Sequence, residues 1–385
     1  MKLKVINQAN NFAGKRVIVR VDFNVPLIRG RVADNARIIA ALPTIRFLER
    51  QQVKQIVLVS HLGRPDGKIV KSLSLKPVAK ELSKLLRQQV KFIPLAKLGV
   101  NEKHFIILLE NIRFLPGEEA NDFKLAKNIA KFGDIFVNEA FSVAHHMGAS
   151  FVAISKYLPV YAGLELAAEV AALEKFKKQG RQSTIAIIGG AKVEDKLPII
   201  EKILSKVDNV LVGGVVANTF LKAKGLAIGK SLFGKQLLKQ AKVILRVGKN
   251  KIVLPYDVIV DTVGTKKKET TAVLVNKVKS NHKILDLGTE TIRQYSRYVK
   301  KAKIIFWSGT MGLAEKNTYS HGTWSLARLV SARARGRTFV MVGGGDTINF
   351  FHQKKLWVDY ESLAGGAMLD YIVGKKLPGL KSLFI

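Results

Sequence analysis

The chain has no cysteine among its 385 residues, which excludes disulfides, iron–sulfur clusters and thiolate zinc sites. Carboxylates are scarce: 29 Asp and Glu stand against 64 Lys and Arg, a formal net charge of +35. No apolar run reaches the roughly 20 residues needed to cross a bilayer. The opening Met1-Lys2-Leu3-Lys4 leads into Asn and Gln, without the apolar core of a secretory signal. Together these absences predict a soluble, cytoplasmic protein. Common catalytic signatures are missing as well. There is no HExxH and no nucleophile elbow, and the seven histidines form no zinc-spaced set. Gly225-Leu226-Ala227-Ile228-Gly229-Lys230-Ser231 resembles a Walker A loop, but three residues separate its glycines where four are required. Gly343-Gly344-Gly345 lacks the spacing of a dinucleotide fingerprint.

What is present describes a folded chain. The apolar fraction is 48% and the charged fraction 24%, and the length exceeds one ordinary core, so two domains are expected. A charge of +35 raises nucleic-acid binding as a function. The lysines are scattered, however, at 175, 177 and 178 and again at 266 to 268, with no aromatic-interleaved strand pattern. A solvated surface with incidental polyanion affinity at low salt is the expectation, without a dedicated nucleic-acid partner.

The first half alternates short apolar runs with amphipathic segments, which is βαβ patterning and implies a mainly parallel sheet. Val17–Val21, Ile56–Val59, Phe105–Leu109 and Ile135–Val137 read as strands. Helices are expected over Ile38–Gln51, Pro77–Leu86 and Asp122–Phe132, with Asp122 as N-cap. Each strand ends in Arg, His, Asn or a carboxylate. Ligands of open α/β sheets bind outside the carboxyl ends of the strands, so Arg20, Arg37, His61, Arg64 and Arg113 would converge on one rim. Arginine suits bidentate contacts to carboxylate or phosphate. That rim predicts a small, multiply charged anion.

Glu165–Lys178 is an alanine-rich helical stretch ending near Gly180, the expected joint between halves. Beyond it the strand ends change character. Ile185–Ile188 runs into Gly189-Gly190, with Lys192 and Lys196 four apart and Pro198 expected in the first turn of a helix reaching Leu204. Val210–Val212 ends in Gly213-Gly214, Ile304–Phe306 in Trp307-Ser308-Gly309, and Val340–Val342 in Gly343-Gly344-Gly345-Asp346-Thr347. Glycine admits backbone close to a polyphosphate, and Asp346 is a natural magnesium partner beside it. This rim predicts a nucleotide.

The motifs resemble those of the phosphoglycerate kinase family over nearly the whole chain. They are Arg20-Val21-Asp22-Phe23-Asn24-Val25-Pro26, Ser60-His61-Leu62-Gly63-Arg64-Pro65 and Leu109-Glu110-Asn111-Ile112-Arg113-Phe114. In order follow Gly189-Gly190-Ala191-Lys192-Val193, Ala217-Asn218-Thr219-Phe220, Gly343-Gly344-Gly345-Asp346-Thr347 and Lys376-Leu377-Pro378-Gly379. The resemblance implies two Rossmann-like α/β lobes, each a mainly parallel sheet flanked by helices. Residues 1–163 would form the phosphoglycerate lobe, 164–180 an interdomain helix and 181–374 the nucleotide lobe, with 375–385 returning to the first. It implies reversible transfer of the acyl phosphate of 1,3-bisphosphoglycerate to MgADP by a monomer whose lobes close. Carried over by position, Asp22, Phe23, Asn24, Arg37, His61, Leu62, Gly63, Arg64, Arg113 and His146 would bind phosphoglycerate. Gly190, Lys192, Lys196, Gly213, Gly214, Leu313, Glu315, Gly344, Gly345, Asp346 and Thr347 would bind ADP or ATP. Asp346 would hold the magnesium, and Arg37, Lys192 and Lys196 would be catalytic.

The chain departs from the family pattern at several places. His146 stands where the family has Arg, Ser308 and Thr310 where it has Asn and Pro, and Val215 where it has a third Gly. Leu363 and Ala364 replace the Thr and Gly of a Ser-Thr-Gly-Gly-Gly run. Histidine lacks the guanidinium fork and titrates near about 6.5, so it is the weaker anion ligand. These changes predict an active but less efficient kinase. The alternatives are a weakened relative that binds nucleotide or anion without efficient turnover, and a basic polyanion-binding protein.

Overall fold

The computed structural model describes residues 2–9, 12–94, 103–178, 183–264 and 270–385. Gly180 and the lysines at 266 to 268 lie outside these residues. The chain forms two compact units, Met1–Leu173 with Gly366–Ile385, and Glu174–Gly365. The division falls inside the helix Leu164–Lys178, and the returning segment includes residues 366–374 as well as 375–385.

The first unit begins with strand β1 (Arg16–Arg20) and a hairpin of β2 (Leu27–Ile28) and β3 (Arg31–Val32). Helix α1 (Ala36–Arg50), strand β4 (Gln55–Val59), helix α2 (Lys76–Leu86) and strands β5 (Val90–Ile93) and β6 (Ile106–Leu109) follow. Helix α3 (Phe123–Ala130), strands β7 (Ile135–Asn138) and β8 (Val160–Ala162), and helix α4 (Leu164–Lys178) complete the run. The six-stranded sheet has the order β5-β6-β4-β1-β7-β8, with every pairing parallel. Its central strands are buried on both faces, which is why they read as unbroken apolar runs. Val17 and Val19 pack with Ile38, Ile45 and Leu48 of α1 and Leu82 of α2. Ile18, one residue out of step, packs on the other face with Ile129 of α3. Asp122 caps α3, its Oδ1 accepting from the Leu125 N–H at 2.6 Å.

The end of the chain is part of this unit. Leu3 bridges Phe384, the Lys4 N–H donates to the Leu383 carbonyl at 2.8 Å, and Asn138 Nδ2 donates to the Gly379 carbonyl at 3.0 Å.

In the second unit, β9 (Thr184–Ile188), α5 (Val193–Ile203), β10 (Asn209–Val212), α6 (Gly214–Ala223), α7 (Leu238–Gly248) and β11 (Ile252–Val253) come first. Strands β12 (Asp257–Thr262), β13 (Thr270–Leu274) and β14 (His282–Leu287) then form an antiparallel side sheet. The remainder is α8 (Thr289–Lys301), β15 (Ile304–Ser308), α9 (His321–Ala334), β16 (Phe339–Gly343), α10 (Gly345–Gln353) and β17 (Tyr360–Ser362). Helix α11 (Gly366–Ile372) belongs to the first unit. The main sheet runs β11-β10-β9-β15-β16-β17, all parallel. Counted from β9, that is the strand order of dinucleotide-binding folds. Pro198 needs correction: α5 starts at Val193, so the proline lies inside the helix and beyond its first turn.

Candidate active site

In each sheet the chain leaves one central strand towards one edge and later returns to its other side. The carboxyl ends of β1 and β7, and of β9 and β15, therefore flank a point where loops diverge and leave a crevice.

In the first unit this crevice is lined with cations, but Arg20 is not among them. Its side chain is 1% exposed: Nε donates to Ser150 Oγ at 2.8 Å and a terminal nitrogen to the Val21 carbonyl at 2.5 Å. Burial lowers its pKa to about 10, against the raising effect of Glu118. The sequence suggested a rim residue, whereas Arg20 is a brace behind the rim. What it braces is His61, whose Nδ1 lies 3.3 Å from an Arg20 nitrogen. Arginine only donates, so Nδ1 accepts and the ring proton sits on Nε2. Burial, then Arg20, Arg113, Arg37 and His146, hold the His61 pKa well below its ordinary value. His61 is thus a neutral donor.

Arg37 enters from the start of α1 and pairs with Asp22, which also accepts from the Ser142 hydroxyl. The Asn24 N–H donates to Asp22 Oδ1 at 3.0 Å, and Asn24 Oδ1 accepts from the Gly63 N–H at 2.9 Å. Arg113 donates to the Gly63 carbonyl at 2.8 Å and pairs with Glu119 at 3.2 Å. Its pKa is lowered by burial and by Arg64, with Glu119 and Glu118 opposing. Arg64 and His146 are exposed, and the His146 ring lies 3.8 Å from that of His145. Burial, Arg113 and Arg64 lower the His146 pKa, so its imidazole is neutral at pH 7. Phe23 and Leu62 present no side chain here, since both are buried in the core. The Phe23 N–H is bonded to Ser60 Oγ, and the Leu62 N–H and carbonyl to Asn111. They shape the rim, as does Gly63 at φ +64°.

The second unit meets its crevice with backbone. At Gly189 an added Cβ would lie 2.1 Å from the Thr310 carbonyl oxygen, and at Gly309 2.1 Å from that of Gly189. Gly213 would bring one within 2.7 Å of Met311 Cα. These glycines let neighbouring strand ends approach each other: the Gly190 N–H donates to the Thr310 carbonyl at 2.7 Å and the Gly214 N–H to the Met311 carbonyl at 2.8 Å. Gly213 consequently stands behind the crevice, with Gly214 at its surface. Gly344 and Gly345 differ. Gly344 has φ +94° and only Ser308 Oγ and Lys196 Nζ beyond 3.4 Å, while nothing lies within 4 Å of a Cβ at Gly345. Both face open space at the start of α10, where helix amides and dipole favour an anion.

Lys196 Nζ donates to Ser308 Oγ at 2.7 Å. Burial lowers its pKa, with Asp195 and Asp346 opposing and Lys192 assisting. Lys192 is the exposed N-cap of α5, and Asp346 is exposed in the first turn of α10. Thr347 is buried, its hydroxyl accepting from the Gly309 N–H at 2.7 Å. These residues border a cleft of about 380 Å³ that also takes in Gly190, Gly214, Leu313 and Glu315.

Its opposite wall was not legible in the sequence. Pro255, Val258 and Leu285, from the side sheet and the turn leading into it, supply an apolar surface that no polar motif marks. Asp286 lies in the same wall and caps α9, accepting from the Gly322 N–H at 2.8 Å. Burial raises its pKa to about 6. Cations, helix amides, a carboxylate and an apolar slot together fit a nucleotide with its phosphates, without a covalent nucleophile.

Comparison with known proteins agrees. A family model described as Phosphoglycerate kinase matches residues 6–375. The chain is 41% identical to the phosphoglycerate kinase of Borreliella afzelii, with 100% of both chains covered. It is also 41% identical to that of Moorella thermoacetica, with 96% of each covered. Among solved structures, phosphoglycerate kinase from Coxiella burnetii aligns with a TM-score of 0.85 at 38% identity, covering 99% of each chain. That from Pyrococcus horikoshii aligns at 0.82 and 30%, covering 99% of this chain and 98% of the other. The chain belongs to the phosphoglycerate kinase family.

Proposed function

We propose that the protein transfers the acyl phosphate of 1,3-bisphosphoglycerate reversibly to ADP, giving 3-phosphoglycerate and ATP in glycolysis. The observation that carries this reading is the pairing of a cationic crevice in one unit with a glycine-and-lysine crevice in the other. Phosphoryl transfer asks chiefly for positioning and charge neutralisation, and these groups supply both. Arg37, Arg64, Arg113 and His146 hold phosphoglycerate, with His61 donating from Nε2 and Asp22 and Asn24 fixing the rim. Lys192, Lys196 and the start of α10 hold the nucleotide phosphates. Leu313 and the apolar wall take the base, and Glu315 the ribose.

Lys196 is steered by Ser308 and lies close enough to Asp346 to feel its charge. Partial desolvation strengthens its pull on a phosphoryl oxygen. The donor set suits magnesium: Asp346 is an exposed carboxylate in the first turn of α10, beside the glycine backbone that would meet the phosphates. Mg²⁺ commonly takes one or two carboxylates with substrate phosphates and water, and Asp346 is the carboxylate placed for that. When bound, the ion would neutralise phosphate charge.

No helix among the described residues is long and apolar enough to cross a membrane. A cytoplasmic monomer is part of the proposal. The decisive experiment is a coupled assay of ATP formation from 1,3-bisphosphoglycerate and MgADP, with Asp346→Ala beside it. Turnover abolished by the substitution is expected. Tight binding of both substrates without turnover would point instead to the weakened relative.

A further inference from the structure

Along the sequence the cations of the second unit look scattered, yet a parallel sheet regroups them. All its strands are entered at the same end, away from the crevice. The segments entering β15, β16 and β17, adjacent in the sheet, carry exposed Lys300, Lys301, Lys303, Arg335, Arg337 and Lys355. These segments are bonded to one another. The Phe339 N–H donates to the Lys303 carbonyl and the Thr338 hydroxyl to the Ala302 carbonyl, each at 2.8 Å. Arg333 reaches Thr338 Oγ1 at 3.1 Å and the Ala302 carbonyl at 3.3 Å. The Asp359 N–H donates to the Val340 carbonyl at 3.1 Å, and the Val340 N–H returns a bond to Asp359 Oδ2 at 2.8 Å. Asp359 is the sole acidic residue in these segments, and one of its oxygens is thereby engaged. The cations stand on a braced platform.

Beside them stands Trp357, 56% exposed, its backbone N–H bonded to Ser331 Oγ at 2.7 Å. An exposed indole flanked by spaced cations combines a stacking face with phosphate contacts. We propose that this end of the second unit binds single-stranded nucleic acid, its phosphates on the Lys and Arg side chains and a base on Trp357. A lipid surface would need several apolar side chains to insert, and Trp357 is the one exposed large apolar residue of these segments. A duplex would keep its bases stacked away from the indole. The platform lies about 16 Å from the crevice, the length of a five-residue strand, so occupancy by nucleotide should not compete.

The test is a titration of the full chain with a labelled oligothymidylate across a salt series, with kinase turnover measured on every variant. Log affinity should fall linearly with log salt. Trp357→Ala should weaken binding about 5- to 150-fold at fixed salt, the worth of one stacked base, while Trp357→Phe retains most of it. Arg335→Glu with Arg337→Glu should lower the salt slope by about 1.4, two phosphate contacts at about 0.7 each. Turnover and the KM for ADP should match the parent in all of them, and saturating ADP should leave oligonucleotide affinity unchanged. The proposal fails if Trp357→Ala binds as the parent does, if ADP displaces the oligonucleotide, or if a duplex or an acidic vesicle binds as tightly.

Discussion

The two units share an architecture and differ in how they meet an anion. In the first, side chains are brought to the crevice and held by neighbours: Arg20 sets the His61 tautomer, Asp22 holds Arg37, and the Gly63 carbonyl holds Arg113. In the second, glycines pack strand end on strand end, and the start of α10 opens on the crevice. A site made of side chains can lose a ligand and keep its fold. A site made of backbone cannot be separated from the fold that makes it.

The sharpest way to break this contrast is Gly309→Ala. A Cβ there would sit 2.1 Å from the Gly189 carbonyl oxygen on a residue at φ +91°. Overpacking and strain predict a stability loss of about 3 kcal/mol or more by urea unfolding. Gly345→Ala, with open space around it, should change stability by less than about 0.5 kcal/mol. Equal stability of the two variants would remove the distinction between packing and ligand-facing glycines.

Arg37→Ala should do the reverse of Gly309→Ala. Turnover should drop about 100-fold, the usual cost of one charge-stabilising donor, with a smaller stability change than Gly309→Ala shows. Loss of fold matching loss of activity would mean that the first rim is as structural as the second.

Both units also bury a carboxylate that caps a helix. Glu139 accepts from the Thr44 hydroxyl and from the Glu165 and Leu166 N–H groups at 3.1 Å at the start of α4, as Asp286 does for α9. Burial raises the Glu139 pKa from 4.5 to about 7, its hydrogen bonds opposing. The folded state therefore holds a proton that the unfolded state releases between these values. Stability should decline as pH rises through that window. Glu139→Gln should flatten this decline in unfolding midpoints, and an unchanged slope would assign the titration elsewhere.

The smallest effect is expected at His146. A neutral imidazole binds a phosphate less well than arginine, and a bound phosphate raises its pKa. The KM for 3-phosphoglycerate should consequently improve as pH falls, beyond any change due to the phosphate itself. His146→Arg should lower KM several-fold at pH 7.5 and flatten its pH dependence relative to the parent. Superimposable profiles would place His146 away from the substrate.

Period and burial made the parallel sheets readable in the sequence, because strands covered on both faces are apolar throughout. The chemistry of the strand ends was readable for the same topological reason. What stayed hidden depends on packing in three dimensions. Nothing in Arg20 or Gly213 as residues says that one is buried behind His61 and the other pressed on Met311. The side sheet was missed because strand β13 is largely exposed, so its short run Ala272-Val273-Leu274 does not mark a strand covered on both faces. Pro198 misled because a proline can sit within a helix as well as open one.

The pairing of Leu3 with Phe384 bears on how the chain comes into being. Residues 174–365 are contiguous, and a ribosome completes them before it reaches Gly366. The first unit is begun earliest yet lacks its last segment until Ile385 is made. Synthesis order and completion order are thus inverted: the unit that emerges second is the first with all its parts. Until then the contacts that Leu3, Lys4 and Asn138 make with residues 379–384 cannot form, and the first unit waits on residues 366–385.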